Sequence, residues 1–252
     1  MSLKSANTFF VIPARRNSKG FPFKNRKLLD YTINEIPIEL HDKTIVSTDD
    51  EEIIERLSST SIKVLKRDKK LCLDDVNIRN VMIDVADQFD MKSNDTIVML
   101  YLTSPGRKFS DVKKILDYYD ERKIKTLTCC VEPKTHPYLC LYKKEGGKGE
   151  QIVKHDLYRR QDYPECFEIR HFVCIFQVEE IKKLNKNMYN ENTIFYEIDN
   201  DMDVDYENDL KEFLKSNTIK GYSTPPLISI EFHLLFLNVF LYINSIEILG
   251  QD

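Results

Sequence analysis

Short apolar runs rich in β-branched residues alternate along this chain with segments in which apolar residues recur every three or four positions. The runs predict strands at Thr8–Pro13, Lys43–Ser47, Lys63–Lys66, Thr96–Leu102, Thr126–Val131, Phe172–Gln177 and Thr193–Ile198. The amphipathic segments predict helices near Glu51–Ser58, Asn77–Phe89, Ser110–Arg122 and Glu207–Leu214. Strands that alternate with helices form mostly parallel sheets covered on both faces, so the pattern predicts an α/β fold.

The alternation stops between residues 133 and 167. Tyr138–Tyr142 alternates like a strand, Gly146 and Gly147 supply a turn, and Gln151–Val153 has the pattern of a returning strand. This segment therefore predicts a hairpin outside the main sheet.

The last 32 positions, residues 221–252, contain no Lys or Arg, and residues 234–243 are apolar except for Asn238. Polar residues interrupt the segment, and no run reaches the ~20 residues of a membrane span. We therefore predict one domain over residues 1–220 and an apolar tail of unknown role. Packing of the tail on the domain or on a partner is the favoured interpretation, with membrane contact or an atypical chain end as alternatives.

The size and composition of the chain exclude some classes of function. The chain has 252 residues, enough for one α/β domain, and its 37 basic and 41 acidic side chains give a net charge of −4. It therefore lacks the global basic surface of a nucleic-acid-binding protein. The six cysteines have neither Cys-x-x-Cys nor metal-ligand spacing, so we expect most to be buried thiols in a reducing compartment. No signal-peptide pattern is present, and the expected location is the cytoplasm.

A basic loop follows the first predicted strand. It combines four cations with a hydroxyl and a glycine, at Arg15, Arg16, Lys19, Lys24, Ser18 and Gly20. At the carboxyl end of a strand, such a loop gathers positive charge and free backbone N–H groups, which is the chemistry that binds a polyphosphate. It is not a Walker loop, because the second glycine and the Gly-Lys-Ser/Thr ending are absent. The alternative is a solvated basic turn.

Aspartates occupy every second position from 199 to 205. Residues two apart in an extended chain share a face, so Asp203 and Asp205 can hold one hard cation such as Mg²⁺. Which of the other aspartates would assist is left open. The alternative is an acidic surface turn in which Asp205 caps the helix predicted from Glu207.

Residues 13–25 read Pro-Ala-Arg-x-x-Ser-Lys-Gly-x-Pro-x-Lys-Asn, which resembles the opening motif of the acylneuraminate (CMP-sialic acid synthetase) cytidylyltransferases. Further blocks resemble that family in the same order, at residues 46–53, 100–107, 160–167 and 203–205. Those enzymes join CTP to a nonulosonic acid and release pyrophosphate. The resemblance implies a Rossmann-like, three-layer nucleotidyltransferase fold and a homodimer in which the 133–167 segment reaches into the partner subunit.

The resemblance also implies residue roles. The nucleotide would be bound by Ala14, Arg15, Ser18, Lys24, Asn25 and Arg67. Catalysis would rest on Arg15, Lys24, Asp203 and Asp205, with Mg²⁺ on the two aspartates. The acidic sugar would meet Tyr101, Arg160, Gln161 and Arg170. Arg160 is the first candidate for its carboxylate and Arg170 the second. For Arg67 the alternative is an exposed charge.

The acceptor blocks depart from the resembled family. Tyr101 stands where the family has glutamine, and Arg170-His171-Phe172 replaces its Asn-Gly-Ala. The Arg-His pair is closer to the Kdo (3-deoxy-manno-octulosonate) cytidylyltransferases, which have a different opening loop. A Kdo-type enzyme, another sugar nucleotidyltransferase and a non-catalytic nucleotide-binding relative therefore remain alternatives. We interpret His171 as a structural residue rather than an acid–base group.

Overall fold

The computed structural model describes residues 7–199 and 202–219. Nine strands occur in this part of the chain: β1 (Thr8–Pro13), β2 (Thr44–Thr48), β3 (Lys63–Lys66), β4 (Thr96–Leu100), β5 (Thr126–Val131), β6 (Leu141–Lys143), β7 (Gly149–Gln151), β8 (Glu168–Gln177) and β9 (Ile194–Glu197). Seven of them form one sheet in the order β3-β2-β1-β4-β8-β5-β9. Every pairing is parallel except those of β8, which is antiparallel to both β4 and β5. The predicted mostly parallel sheet is thus confirmed.

Helices cover both faces of this sheet. They are α1 (Lys24–Ile33), α2 (Glu51–Leu57), α3 (Ile78–Gln88), α4 (Phe109–Glu121) and α5 (Glu207–Ile219). One apolar cluster packs α1, α2 and α4 against one face, and a second packs α3 against the other. Strands β2, β4 and β5 are buried at every position, as expected for strands between two helical layers. The three-layer α/β class predicted from the pattern is therefore confirmed.

Helix α1 has no counterpart among the predicted elements. The residue before it, Phe23, has φ 55° and no side chain caps the helix. The first turn contains no Asp or Glu. Both sequence signals for a helix start, a capping side chain and an early acidic residue, are therefore missing. The buried residues Leu28, Leu29 and Ile33 hold the helix on the core.

Strand β8 begins earlier than predicted, at Glu168 rather than at Phe172. Its register against β5 shifts, because Cys174 pairs with Thr128 whereas Arg170 pairs with Cys129. Such an irregularity turns side chains away from the regular ladder and is common beside functional sites. It carries Arg170 to the edge of the sheet where the loops of β1 and β4 lie.

The segment between β5 and β8 contains the predicted hairpin. Strands β6 and β7 form a separate two-stranded sheet, and Gly146 and Gly147 turn the chain with φ of 69° and 78°. The base of the segment is a cluster of rings in which Tyr138 stacks on His155, with centroids 4.2 Å apart. Many of its apolar side chains are exposed, including Tyr158 at 94%.

All six cysteines lie in the described residues, and none forms a disulfide. Three of them are buried, which corrects the prediction that most would be: Cys72, Cys140 and Cys166 are partly exposed. The chain divides into compact units at residues 1–213 and 214–252. The predicted apolar tail, residues 221–252, lies outside the described residues, and no helix within them is long and apolar enough to cross a bilayer.

Candidate functional site

A cavity of about 280 Å³ opens where β1, β3 and β4 end at their carboxyl termini. Six of the residues predicted to bind ligands line it: Arg15, Ser18, Lys24, Asn25, Arg67 and Tyr101. Its apolar wall comes from Val76, Ile78 and Val81 at the start of α3. Ligands of open α/β sheets bind at this edge, because the loops that leave the strands converge there.

Hydrogen bonds to neighbouring strands hold the basic loop in place. The N–H of Ala14 donates to the Ser47 carbonyl at 2.9 Å, and the Thr48 hydroxyl donates to the Ala14 carbonyl at 2.5 Å. The side-chain amide of Asn25 donates to the Arg15 carbonyl at 2.8 Å. Ala14 is fully buried and both of its backbone groups are engaged, so it supports the loop from below rather than lining the cavity.

Arg67 is fixed at the back of the cavity. Its guanidinium donates to the Ser47 carbonyl at 2.7 Å and to the Ser47 hydroxyl at 3.1 Å. The side chain is buried, and this desolvation lowers its pKa. The alternative of an exposed charge is therefore wrong. Arg67 is therefore a cation held in a fixed position at the wall of the cavity.

Two carboxylates of the acidic segment pair with two of the predicted site cations, of which Lys24 lines the cavity and Arg170 does not. The Lys24 ammonium lies 2.9 Å from Asp205, and the Arg170 guanidinium lies 3.4 Å from Asp203. Between the two aspartates, the Val204 N–H donates to the Thr103 carbonyl at 2.8 Å, which anchors the acidic segment beside the loop after β4. The structure thus brings Asp205 to Lys24 of the basic loop and Asp203 to Arg170 at the start of β8.

Asp203 and Asp205 supply the kind of donor that fits a hard divalent cation. The Asp203 Oδ1 atom is buried and has no hydrogen-bond partner among the described residues, so it can serve a further ligand. The described residues contain no group of three or more His, Cys, Asp or Glu side chains able to hold a metal. A cation here would therefore complete its coordination with phosphate oxygens and water, as Mg²⁺ commonly does.

Tyr101, which lines the cavity, packs against His171, the residue after Arg170. The rings of Tyr101 and His171 are 4.7 Å apart, and burial raises the pKa of the Tyr101 hydroxyl. Burial lowers the pKa of His171 although the negative charges of Asp203 and Asp205 oppose the shift. A neutral, ring-packed imidazole agrees with the structural interpretation of His171.

The sequence profile of the family described as cytidylyltransferase matches residues 9–224. This chain belongs to the cytidylyltransferase family. An N-acylneuraminate cytidylyltransferase of Streptococcus agalactiae serotype V is 28% identical over 207 residues, which cover 78% of this chain and 49% of the relative. The same identity and coverage hold for the serotype III protein. The chain therefore spans about half the length of the curated relatives it matches.

Solved structures agree on the fold of this cytidylyltransferase family member. A CMP:2-keto-3-deoxy-manno-octonic acid synthetase complexed with CTP has a TM-score of 0.58 at 12% identity, covering 86% of this chain and 100% of that one. A cytidylyltransferase from Leptospira borgpetersenii serovar Hardjo-bovis has a TM-score of 0.56 at 16% identity, covering 98% and 99%. These likenesses confirm the Rossmann-like α/β architecture of the family.

Two residues predicted to bind the sugar lie elsewhere in this chain. Arg160 and Gln161 are exposed, in a short 3₁₀ turn of the projecting segment, and neither lines the 280 Å³ cavity. Arg170, by contrast, is mostly buried beside Asp203, and its Nε atom has no partner among the described residues. Within one chain, Arg170 is thus the predicted sugar-binding arginine that the structure brings to the carboxylates.

Sequence reasoning missed Asp74, an acidic residue that lines the cavity. It contacts the guanidinium of Arg15 at 2.8 Å and the ammonium of Lys19 at 3.2 Å. Asp74 is 59 positions from Arg15. No local sequence pattern indicates a pair so distant. The only available signal was its place in the loop after a predicted parallel strand, where loops of neighbouring strands meet.

Proposed function

We propose that this chain is a CTP-dependent cytidylyltransferase that joins CMP to an acidic ulosonic sugar and releases pyrophosphate. The observation that carries the proposal is the contact of Lys24, which lines the cavity together with Arg15 and Ser18, with Asp205 of the acidic segment. Membership of the cytidylyltransferase family supports it. So does the name of the curated relatives, N-acylneuraminate cytidylyltransferase.

The nucleotide would lie in the 280 Å³ cavity with its triphosphate on the basic loop. Arg15 offers two parallel donors to phosphate oxygens, Ser18 a hydroxyl, and Lys24 a compact charge. Arg67, held by Ser47, and Asn25, held by the Arg15 carbonyl, would contact the nucleotide from rigid positions. Fixed donors cost little reorganisation when a ligand binds, which favours both affinity and orientation.

No side chain is needed as a nucleophile. The anomeric hydroxyl of the sugar attacks the α-phosphorus of CTP, the bond to the β-phosphate oxygen breaks, and the hydroxyl proton leaves for water. Asp203 and Asp205 would hold Mg²⁺, which supplies neutralisation of the charge on the phosphates. Lys24, beside Asp205, would stabilise the departing pyrophosphate. Catalysis in this scheme is positioning and charge neutralisation.

For the acceptor we propose a nine-carbon ulosonic acid of the sialic, legionaminic or pseudaminic kind. An arginine suits its carboxylate, and Arg170 has a buried Nε–H without a partner among the described residues, while its two terminal nitrogens lie 3.4 Å from Asp203 and from Glu168. Tyr101, which lines the nucleotide cavity and packs on His171 next to Arg170, would contribute a wall between the two ligands. A Kdo-type acceptor is the second candidate, because the Arg170-His171 stretch is the part of the chain that favours it.

We further propose a homodimer in which the 133–167 segment completes the partner's acceptor pocket. The exposed apolar side chains of that segment, such as Leu141 at 60% and Tyr158 at 94%, support a protein contact there. Arg160 and Gln161 would then act on the sugar of the other subunit. The unpaired state of the six cysteines supports a reducing compartment, the cytoplasm, as the site of the reaction.

The test is pyrophosphate release by the purified chain with CTP, ATP, GTP or UTP and a panel of ulosonic acids. We expect turnover with CTP and a nine-carbon acid, and dependence on Mg²⁺. Turnover with Kdo alone would select the second candidate. Equal use of ATP and CTP would favour another sugar nucleotidyltransferase. Nucleotide binding without turnover of any acid would indicate a non-catalytic relative.

A further inference from the structure

Asp74 occupies a position in the cavity that the proposed reaction does not use. It follows β3 and a short 3₁₀ turn, and its side chain is 46% exposed at the mouth of the cavity. One carboxylate oxygen contacts Arg15 at 2.8 Å and the other contacts Lys19 at 3.2 Å. A single anion therefore holds two cations of the basic loop.

The carboxylate of Asp74 contacts Arg15 and Lys19 as a phosphate group would, since both are anions that accept hydrogen bonds from cations. Hydrogen bonds from Lys19 and Arg15, together with their charges, lower the pKa of Asp74, so it is an anion at neutral pH. Its two oxygens take up donors that a polyphosphate would otherwise engage. Asp74 is thus positioned as an internal counter-ion of the polyphosphate site.

We propose that Asp74 is an affinity- and specificity-determining residue that competes with the ligand for Arg15 and Lys19. A chain of two or more phosphates brings enough charge to displace it, whereas a ligand with one phosphate gains less from doing so. After the reaction, Asp74 can pair again with Arg15 and Lys19 and so favour the departure of pyrophosphate. This inference rests on the proposed polyphosphate site. It adds that Asp74 limits the affinity of that site for polyphosphates.

The opposite role is physically possible and predicts the opposite sign. If Asp74 merely positioned Arg15 and Lys19 for the ligand, neutralising it would disorder both cations and weaken binding. If it competes, neutralising it frees both cations and removes a negative charge from beside the phosphates, which strengthens binding. The direction of the change therefore decides between competition and positioning.

The experiment compares the wild-type chain with Asp74→Asn and a matched control, Asp75→Asn, by titration calorimetry. Asp75 is the next residue, is exposed, and does not line the cavity. Inorganic tripolyphosphate, CTP and CMP are the probes. We expect Asp74→Asn to bind tripolyphosphate and CTP about three- to tenfold more tightly, with a smaller gain for CMP, while Asp75→Asn stays within about twofold of wild type.

Unchanged or weaker tripolyphosphate binding by Asp74→Asn would overturn the proposal, as would an equal gain in both variants, which would indicate a general charge effect. Absence of tripolyphosphate binding in every protein would overturn it too. Thermal melting of each variant shows whether it is folded. The proposed function fails separately, through the absence of cytidine preference or of turnover, while tripolyphosphate still reports on Asp74.

Discussion

The Nζ atom of Lys24 lies 2.9 Å from Oδ1 of Asp205, although the two residues are 181 positions apart. The contact joins the first residue of α1 to the acidic segment before α5 and brings both halves of the candidate site together. Lys24 is almost buried, with a side-chain exposure of 10%, whereas the Asp205 side chain is 60% exposed. The lysine is therefore fixed by its surroundings, while the aspartate remains accessible to a cation and its phosphate ligands.

We predict that Lys24→Ala lowers kcat/KM for CTP roughly 30- to 1,000-fold. This corresponds to a loss of about 2–4 kcal/mol of transition-state stabilisation. The reason is the loss of a nearly buried charge beside the proposed position of the leaving pyrophosphate. The measurement is steady-state pyrophosphate release. Lys27→Ala is the control, since Lys27 lies on the same helix, is exposed and packs over the Phe21 ring. Equal kinetics for the two variants would remove Lys24 from the catalytic set.

Asp203→Asn and Asp205→Asn should each lower kcat by about 100-fold or more and raise the Mg²⁺ concentration needed for half-maximal rate. An amide keeps the shape of the side chain but not the charge that binds a hard cation. Rates are measured across a Mg²⁺ series, with Glu207→Gln as an exposed acidic control on α5. If both variants keep the wild-type rate and Mg²⁺ dependence, these carboxylates are not the metal ligands.

Arg170→Lys should raise the KM for the acidic sugar tenfold or more while the KM for CTP stays within about threefold. Lysine keeps the charge but cannot offer two parallel donors to a carboxylate. Arg160→Lys is run in parallel. A defect in sugar KM confined to the Arg160 variant would assign the carboxylate to the projecting segment rather than to Arg170.

The proposed dimer, in which Arg160 acts on the sugar of the partner subunit, predicts complementation between two defective variants. In a one-to-one mixture of Arg160→Ala and Asp205→Asn chains, about half of the dimers are mixed, and one of the two sites in each is intact if Arg160 acts on the partner's site. About a quarter of wild-type activity should therefore return after subunit exchange. The separate variants measured alone set the background. If the mixture is no more active than its components, Arg160 does not act across subunits.

His171 should make stability depend on pH. Burial lowers its pKa below the ordinary 6.5, so the folded state disfavours the protonated form. The contribution of the neutral His171 to the free energy of unfolding is complete above pH 6.5. It is lost as the pH falls from 6.5 toward the lowered pKa of the folded state, because the unfolded chain takes up the proton first. Urea unfolding at pH 7.5 and 5.5 should show a smaller loss for His171→Gln than for wild type. Identical losses would contradict this.

The sequence by itself determined the strands of the sheet and the basic loop after β1. The alternation of apolar and polar residues is local, and it follows the burial of each strand between two helical layers. The pattern Pro13-Ala14-Arg15 with Ser18, Lys19 and Gly20 likewise lies within one short loop. The sequence also predicted a hairpin between β5 and β8, because Gly146 and Gly147 provide the left-handed turn.

Helix α1 shows the limit of local signals. Phe23 precedes it in a left-handed conformation without a capping side chain, so the helix depends on the burial of Leu28, Leu29 and Ile33. Strand β8 shows the same limit at the level of the sheet. Its insertion between β4 and β5, antiparallel to both, is set by which apolar faces can be covered, and no short stretch of sequence encodes that order.

The partners of the charged residues were decided only by the tertiary structure. Lys24 with Asp205, Arg170 with Asp203, and Arg15 and Lys19 with Asp74 are pairs formed between loops that meet at the carboxyl edge of the sheet. The sequence predicted a basic loop at the carboxyl end of a strand, and the resemblance implied that Asp203 and Asp205 would act on the same nucleotide. Which cation meets which carboxylate depends on strand order and loop path, because Coulomb attraction acts on distance in space and carries no record of position along the chain.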